Sequence, residues 1–221
     1  MNFSDDPSLY SISIDGIACT PTAATATSVT CTTGPRTGAF TLDPHLEIFI
    51  QDVGLVANQG HEFRYVSLWS SPTTWGGLSF PIDGESIRVD KGLNLLVDIK
   101  HSPVLNLIIV QGGSLIFPSH DDDHDYEQTF DAHYIFLNDG ALMEVGTEDE
   151  PYMSKLTITM HGERFDPYIP KFGNKCIGVR FSTIDIHGEP RDVTWTELDS
   201  TAEAGATTIT LLEDVDWRVG E

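Results

Sequence analysis

Leu105-Asn106-Leu107-Ile108-Ile109-Val110, then Gln111-Gly112-Gly113, then Ser114-Leu115-Ile116-Phe117 is the stretch whose reading decides the fold. A nearly continuous apolar run suits a β-strand covered on both faces, the glycine pair a tight turn, and the second burst another strand. Outward from this centre, apolar residues recur with period two in Tyr10-Ser11-Ile12-Ser13-Ile14, His45-Leu46-Glu47-Ile48-Phe49-Ile50 and Ala141-Leu142-Met143-Glu144-Val145. No stretch of a dozen residues holds a helical period. Turn signals such as Asp15-Gly16, Asp83-Gly84, Lys91-Gly92, Asp139-Gly140 and His187-Gly188 separate the bursts. The chain is therefore predicted to be all-β.

Beyond the centre, strands are expected at Leu93 to Val97, His133 to Leu137, Leu156 to Met160, Ile184 to His187 and Thr207 to Leu212. Stacked parallel rungs account for both the continuous and the alternating strands, although periodicity alone does not separate a β-helix from a sandwich. Val66-Ser67-Leu68-Trp69-Ser70-Ser71-Pro72-Thr73-Thr74-Trp75 reads as a joint, dividing the chain into residues 1–67 and 68–221. Its two tryptophans predict a packed joint, since a flexible linker is rich in Gly and Ser.

Lys plus Arg number 12 against 34 Asp plus Glu, a formal charge of -22, and the bases are scattered. Nucleic acid is excluded as a partner, because a phosphate backbone needs a basic patch. The apolar runs are far shorter than the roughly 20 residues of a membrane span, so none is expected in this chain. The polar start Met1-Asn2-Phe3-Ser4-Asp5-Asp6 does not have the form of a signal peptide, which leaves either a processed leader or an internal piece of a longer chain. Asn2-Phe3-Ser4 is a glycosylation sequon.

Of three cysteines, Cys19 and Cys31 bracket a Thr-rich stretch of strand and turn composition. They read as a disulfide, the alternative being two buried thiols, and Cys176 as a small core hydrophobe.

The second part carries Thr74-Trp75-Gly76-Gly77, Pro81-Ile82-Asp83-Gly84-Glu85-Ser86-Ile87, Gly113 to Phe117, Gly140 to Glu148, Ile186-His187-Gly188, Trp195-Thr196-Glu197-Leu198 and Val215 to Gly220. In this order they resemble the G-eight domain of fibrocystin-like ectodomains, found also in a group of cell-surface and secreted hyaluronidases. The resemblance implies a right-handed parallel β-helix-like fold and an extracellular or cell-surface setting. Gly16-Ile17-Ala18-Cys19, Thr27 to Thr32 and Phe63-Arg64-Tyr65-Val66 resemble the later strands of an immunoglobulin-like TIG module. A whole sandwich of this type has about 100 residues, so this module is expected to be partial, its first strands supplied by upstream sequence or by strand addition from a neighbouring subunit.

Asp121, Asp123 and Asp125 have the one-three-five spacing of a calcium loop, but Tyr126 and Ala132 stand where that loop needs Gly and a bidentate Glu. A solvated acidic loop is the plainer reading; calcium is the only cofactor suggested. Glu144, Glu148, Asp149, Glu150, Asp185, His187 and Glu189 are of the types that serve acid–base cleavage of polysaccharides. Structural roles in turns and strand ends fit them better, and no catalytic residue is assigned. Trp69, Trp75, Trp195 and Trp217 are expected to pack rather than stack on sugars. The expected function is an extracellular structural or adhesion module, partnered by other extracellular protein domains or by further copies of itself. A glycan-binding or hyaluronan-cleaving module is the alternative.

Overall fold

The computed structural model describes residues 4–35, 46–56, 63–77, 79–119 and 126–217. Apart from two short 3-10 turns, at Pro7–Leu9 and Pro72–Trp75, its regular structure is strand.

Five strands build a front sheet: β1 (Tyr10–Ile14), β2 (Ile17–Ala24), β3 (Val29–Thr33), β4 (Leu46–Ile50) and β5 (Gly54–Leu55). Their order is β3-β2-β1-β4-β5, and each neighbouring pair is antiparallel. Asp15 and Gly16 both take positive φ, 49° and 75°, in the two-residue turn joining Ile14 to Ile17. This Asp-Gly turn matches the twist of the strands it connects. Alternation then puts Tyr10, Ile12 and Ile14 on one face, buried with Cys19 and Ile50. Cys19 and Cys31 form a disulfide between the adjacent β2 and β3.

The remaining strands are parallel: β6 (Ser67–Leu68), β7 (Ile87–Asp90), β8 (Asn94–Leu96), β9 (His101–Gln111), β10 (Ser114–Phe117), β11 (Glu127–Asn138), β12 (Leu142–Val145), β13 (Lys155–Met160), β14 (Cys176–Arg180) and β15 (Thr183–Ile186). One sheet runs β6-β8-β10-β12-β15, the other β7-β9-β11-β13, with β14 also on β11. From β7 to β13 the chain alternates between them, so each pass adds a strand beside the one laid down a pass earlier; β14 then returns to β11 before β15 joins β12. Both sheets contribute to one core, which includes Leu95, Leu115 and Met143 from the first and Val89, Ile108 and Ile135 from the second. Trp69, Phe130 and Phe117 form an edge-to-face chain through it, with centroids 5.9 and 5.1 Å apart, and Trp75 extends the chain at 5.1 Å from Trp69. The two tryptophans pack against each other, and Trp75 Nε1 also donates to the Trp69 carbonyl at 2.8 Å.

Two glycines mark where passes turn tightly. A Cβ at Gly113 would lie 2.5 Å from the Asp90 carbonyl oxygen, and one at Gly146, whose φ is +63°, would lie 2.4 Å from the Tyr152 nitrogen. Only glycine fits such backbone-to-backbone approaches. Gln128, fully buried, closes another turn by donating from Nε2 to the carbonyls of Val97 at 2.8 Å and Ile99 at 2.7 Å. Tyr152 donates its hydroxyl to Gln128 Oε1 at 3.2 Å, and burial, with Tyr126 adding a smaller effect, pushes its pKa up to about 12.

The central stretch behaves differently from its reading. Leu105, Ile108 and Val110 are fully buried, whereas Leu107 and Ile109 are only partly so. Two consecutive residues, Asn106 and Leu107, lie off the core between Leu105 and Ile108; on β11 their neighbours His133, partly exposed, and Tyr134, buried but outside the main cluster, stand between Ala132 and Ile135. The apolar run is near-continuous because the inward phase slips at this corner, not because both faces are covered. β7 and β14 were not anticipated, and Thr207 to Leu212 forms no strand beyond an isolated bridge between Leu198 and Leu211.

Candidate functional surfaces

At the joint, the segment leading into β6 crosses the outer face of the β6-β8-β10-β12-β15 sheet. Asn94 donates from Nδ2 to the Tyr65 carbonyl at 3.0 Å, and Arg64 Nη1 meets Glu144 Oε2 at 2.7 Å. Parallel register puts Leu96, Ile116, Glu144 and Asp185 in one row, which is how a carboxylate on β12 comes to face a guanidinium so far away in sequence. Glu144 is only 9% exposed. A buried carboxylate is tolerated when it is paired and hydrogen-bonded.

The same row sets Asp185 beside Glu144, and His187 Nε2 lies 2.8 Å from Asp185 Oδ1. The structure thus gathers three of the acid–base candidates, but Glu144 is held by Arg64 beneath the joint. Glu148 and Asp149 lie on an exposed turn, braced by Thr147 and Glu150, and Glu189 pairs with Arg191 at 3.4 Å. Glu144, Asp185 and Glu189 thus each have a basic or imidazole partner. Among the described residues, no group of three or more His, Cys, Asp or Glu side chains is arranged to hold a metal ion. The calcium candidates Asp121, Asp123 and Asp125 and the sequon residue Asn2 lie outside the described residues. Cys176 is a free thiol, half-buried, its pKa raised by burial.

Trp69 and Trp75 pack at the joint, whereas Trp195 and Trp217 are exposed. The Trp217 indole donates to the Val193 carbonyl.

A surface that sequence reading missed lies at β15. Ile184 and Ile186 continue the inward rows of Met143 and Val145, yet they are 39% and 58% exposed, and the preceding Phe181 is 79% exposed. Inward-phase residues lose cover only where no further strand stacks on them, and their alternation alone does not reveal it. On the front sheet, Phe49, Val53 and Leu55 are exposed beside the short edge strand β5.

A disulfide-pinned antiparallel sheet, followed by a glycine-cornered coil alternating between two parallel sheets, defines a class of all-β modules. The G8 domain family model matches residues 74–199, more than half of the chain, and the protein belongs to that family as a fibrocystin-like G8 region. The chain is 38% identical over 174 residues to human Fibrocystin-L, covering 79% of this chain and 4% of that protein. Against mouse Fibrocystin-L it is 32% identical over 219 residues, 99% of this chain and 5% of that protein. Mouse Fibrocystin is 36% identical over 160 residues, 72% of this chain and 4% of its own length. The chain therefore spans about one twentieth of these relatives or less.

Proposed function

We propose that this chain is an extracellular structural and adhesion module that works by protein–protein assembly, with the apolar end at β15 as its principal contact. The observation that carries the reading is the exposure of Ile184 and Ile186 on one face of β15, with Phe181 exposed just before the strand. Clustered apolar side chains on a soluble domain favour association, because covering them removes hydrocarbon from water. The Cys19–Cys31 disulfide suits an oxidising compartment, in keeping with the cell-surface setting that the fibrocystin resemblance implies. No helix among the described residues is long and apolar enough to cross a membrane.

In this reading the chain divides at residues 67 and 68. Residues 68–221 form a right-handed parallel β-helix, the hand that nearly all parallel crossovers take. Residues 1–67 form a partial immunoglobulin-like TIG module whose edge strands among the described residues, β3 and β5, accept a strand from upstream sequence or a neighbour. Glycosylation at Asn2 and calcium at Asp121, Asp123 and Asp125 belong to the same extracellular reading.

Sedimentation and electron microscopy of the 221-residue chain, with and without a calcium chelator, test it. Concentration-dependent particles or filaments that Ile184→Asp with Ile186→Asp disperses are expected. A strictly monomeric protein, or assemblies indifferent to those substitutions, would remove β15 as the contact.

A further inference from the structure

The phase slip on β9 and β11 creates a second surface, independent of the assembly reading. Asn106 and Leu107 on β9 and His133 and Tyr134 on β11 sit side by side at the corner where β13, which ends beside Ala132, gives way to β14, which starts beside Tyr134. The connection between those strands, residues 161–175, folds over the corner. Its Asp166, Pro167, Tyr168 and Ile169 complete a groove of about 390 Å³. Small-molecule sites range over about 300–1,000 Å³, so this one has room for a compact ligand.

The connection is braced rather than loose. His161 Nε2 lies 2.7 Å from Asp131 Oδ1, Asn174 Nδ2 donates to the Glu163 carbonyl at 2.7 Å, and Ile169 N donates to the Gly173 carbonyl at 2.8 Å. The Tyr134 hydroxyl is tied to the Pro167 carbonyl. A groove held in this way is preformed, and binding does not have to order it. Gly162, with φ +131°, lets the backbone pass close to the site: a Cβ there would lie 3.0 Å from Asp166 Oδ2 and 3.7 Å from His133 Nδ1.

The lining mixes two kinds of group. Tyr168 is 73% exposed at the rim, Tyr134 and His133 supply further ring surface, and Leu107, Pro167 and Ile169 are apolar. Asn106 brings an amide and Asp166 a carboxylate, of which one oxygen already accepts the Glu163 N–H at 2.6 Å. Flat ring surface beside an amide and a carboxylate matches a pyranose, whose C–H face is apolar and whose rim of hydroxyls both donates and accepts. Among the lining residues there is a carboxylate and no Lys or Arg, in a chain of formal charge -22, so an anionic ligand is opposed. Asn106 Nδ2 donates to Ser86 Oγ at 3.3 Å, which leaves its amide oxygen, like the second Asp166 oxygen, to accept from a ligand hydroxyl; a purely apolar ligand would use neither acceptor.

We propose that this corner groove is a saccharide site that holds one pyranose ring of an uncharged glycan, with Tyr168 as the stacking surface and Asn106 and Asp166 as hydroxyl partners. NMR titration of the full 221-residue chain with cellohexaose, laminarihexaose and mannohexaose, and with a hyaluronan hexasaccharide as the charged comparison, tests it. At least one uncharged hexasaccharide is expected to bind with Kd on the order of 1 mM or tighter, shifting resonances at 106, 133 and 166–169. Tyr168→Ala and Asn106→Ala, both at exposed positions that the fold tolerates, are each expected to weaken binding about tenfold or more, a change of about 1.4 kcal/mol. Trp217→Ala leaves it unchanged. The proposal fails if none of the uncharged sugars binds, if binding survives both groove substitutions, or if only the hyaluronan hexasaccharide binds. Because none of the groove's lining residues belongs to β15, loss of self-assembly in the Ile184/Ile186 variant leaves this test intact.

Discussion

The front sheet and the parallel body solve the same problem with different means. Among the described residues, the front cluster has five buried side chains, Tyr10, Ile12, Ile14, Cys19 and Ile50, and the body's core has eighteen. A small apolar cluster seldom stabilises a sheet by itself, and a disulfide offsets the shortfall by restricting the unfolded chain. The body needs no such link; there, packing and close backbone approach carry the fold. The lesson is that the same glycine-rich composition serves as hinge in one region and as clearance in the other.

The largest effect should come from Gly146→Ala. Its Cβ would meet the Tyr152 nitrogen at 2.4 Å and the His187 carbonyl oxygen at 2.5 Å, both backbone atoms, at a positive φ. A loss of at least about 4 kcal/mol, or failure to fold, is expected from denaturant unfolding. Gly16→Ala, in the front hairpin, meets nothing within 4 Å and bears only the left-handed conformation. Its cost should be about 1–2 kcal/mol. Equal losses at the two sites would erase the distinction between clearance and hinge.

Removing the disulfide by Cys19→Ala with Cys31→Ala comes next, at about 3 kcal/mol for a bridge with sequence separation 12. Hydrogen exchange should show the loss in β1 to β4 and leave β8 to β12 protected. Uniform loss would mean that the two regions melt as one unit. Arg64→Ala tests the seam between them. It leaves Glu144 buried and uncompensated, and about 2 kcal/mol is expected, moderated because Arg64 retains 29% side-chain exposure. A double-mutant cycle with Glu144→Gln should recover a coupling of about 1 kcal/mol; no coupling would show that the seam is held by other contacts.

Tyr152→Phe, within the body, removes the hydroxyl donated to Gln128 and should cost about 1 kcal/mol at neutral pH. The pH dependence has a definite sign. The native pKa is raised to about 12, above the ordinary value of about 10. The unfolded chain therefore loses this proton first, and the contribution of Tyr152 is full below pH 10 and is lost as pH rises through about 12. Unfolding measured between these limits should fall more steeply for the wild type than for the Phe variant. Parallel curves would detach the shift from this residue.

How much of this was legible follows from what each pattern encodes. Tyr10-Ser11-Ile12-Ser13-Ile14 alternates strictly and is β1 without adjustment, since one face is buried and the other is not. Ile87-Arg88-Val89-Asp90 alternates as well and forms β7, but only two of its four residues are apolar, so it does not stand out as the equally short Ser114–Phe117 does. The slip at Asn106–Leu107 was hidden because Leu107 and Ile109 are apolar although they lie off the core. Neither the Arg64–Glu144 pair nor the 161–175 groove had a local signal. Both arise from parallel register, which brings together residues roughly a full pass or more apart in sequence. The exposed end at β15 was illegible for a related reason: Ile184 and Ile186 carry the inward pattern whether or not a neighbour covers them.

The smallest effect separates a pair that joins the regions from one that merely decorates the body. Lys155 Nζ and Glu127 Oε1 are 2.8 Å apart, almost as close as Arg64 and Glu144 at 2.7 Å, yet their side chains are 63% and 62% exposed. The hydrogen bond and charge of Lys155 hold the Glu127 carboxyl below its usual range, so its contribution exists above the ordinary carboxylate pKa and disappears as pH falls through the lowered one. Water and salt screen such a pair, and fixing two long side chains offsets much of the attraction. Lys155→Ala should therefore leave the unfolding midpoint unchanged within error at physiological salt, with any difference confined to low ionic strength. A midpoint shift as large as that of Arg64→Ala would show that distance, not burial, governs ion pairs here, and the contrast drawn between seam and surface would fall with it.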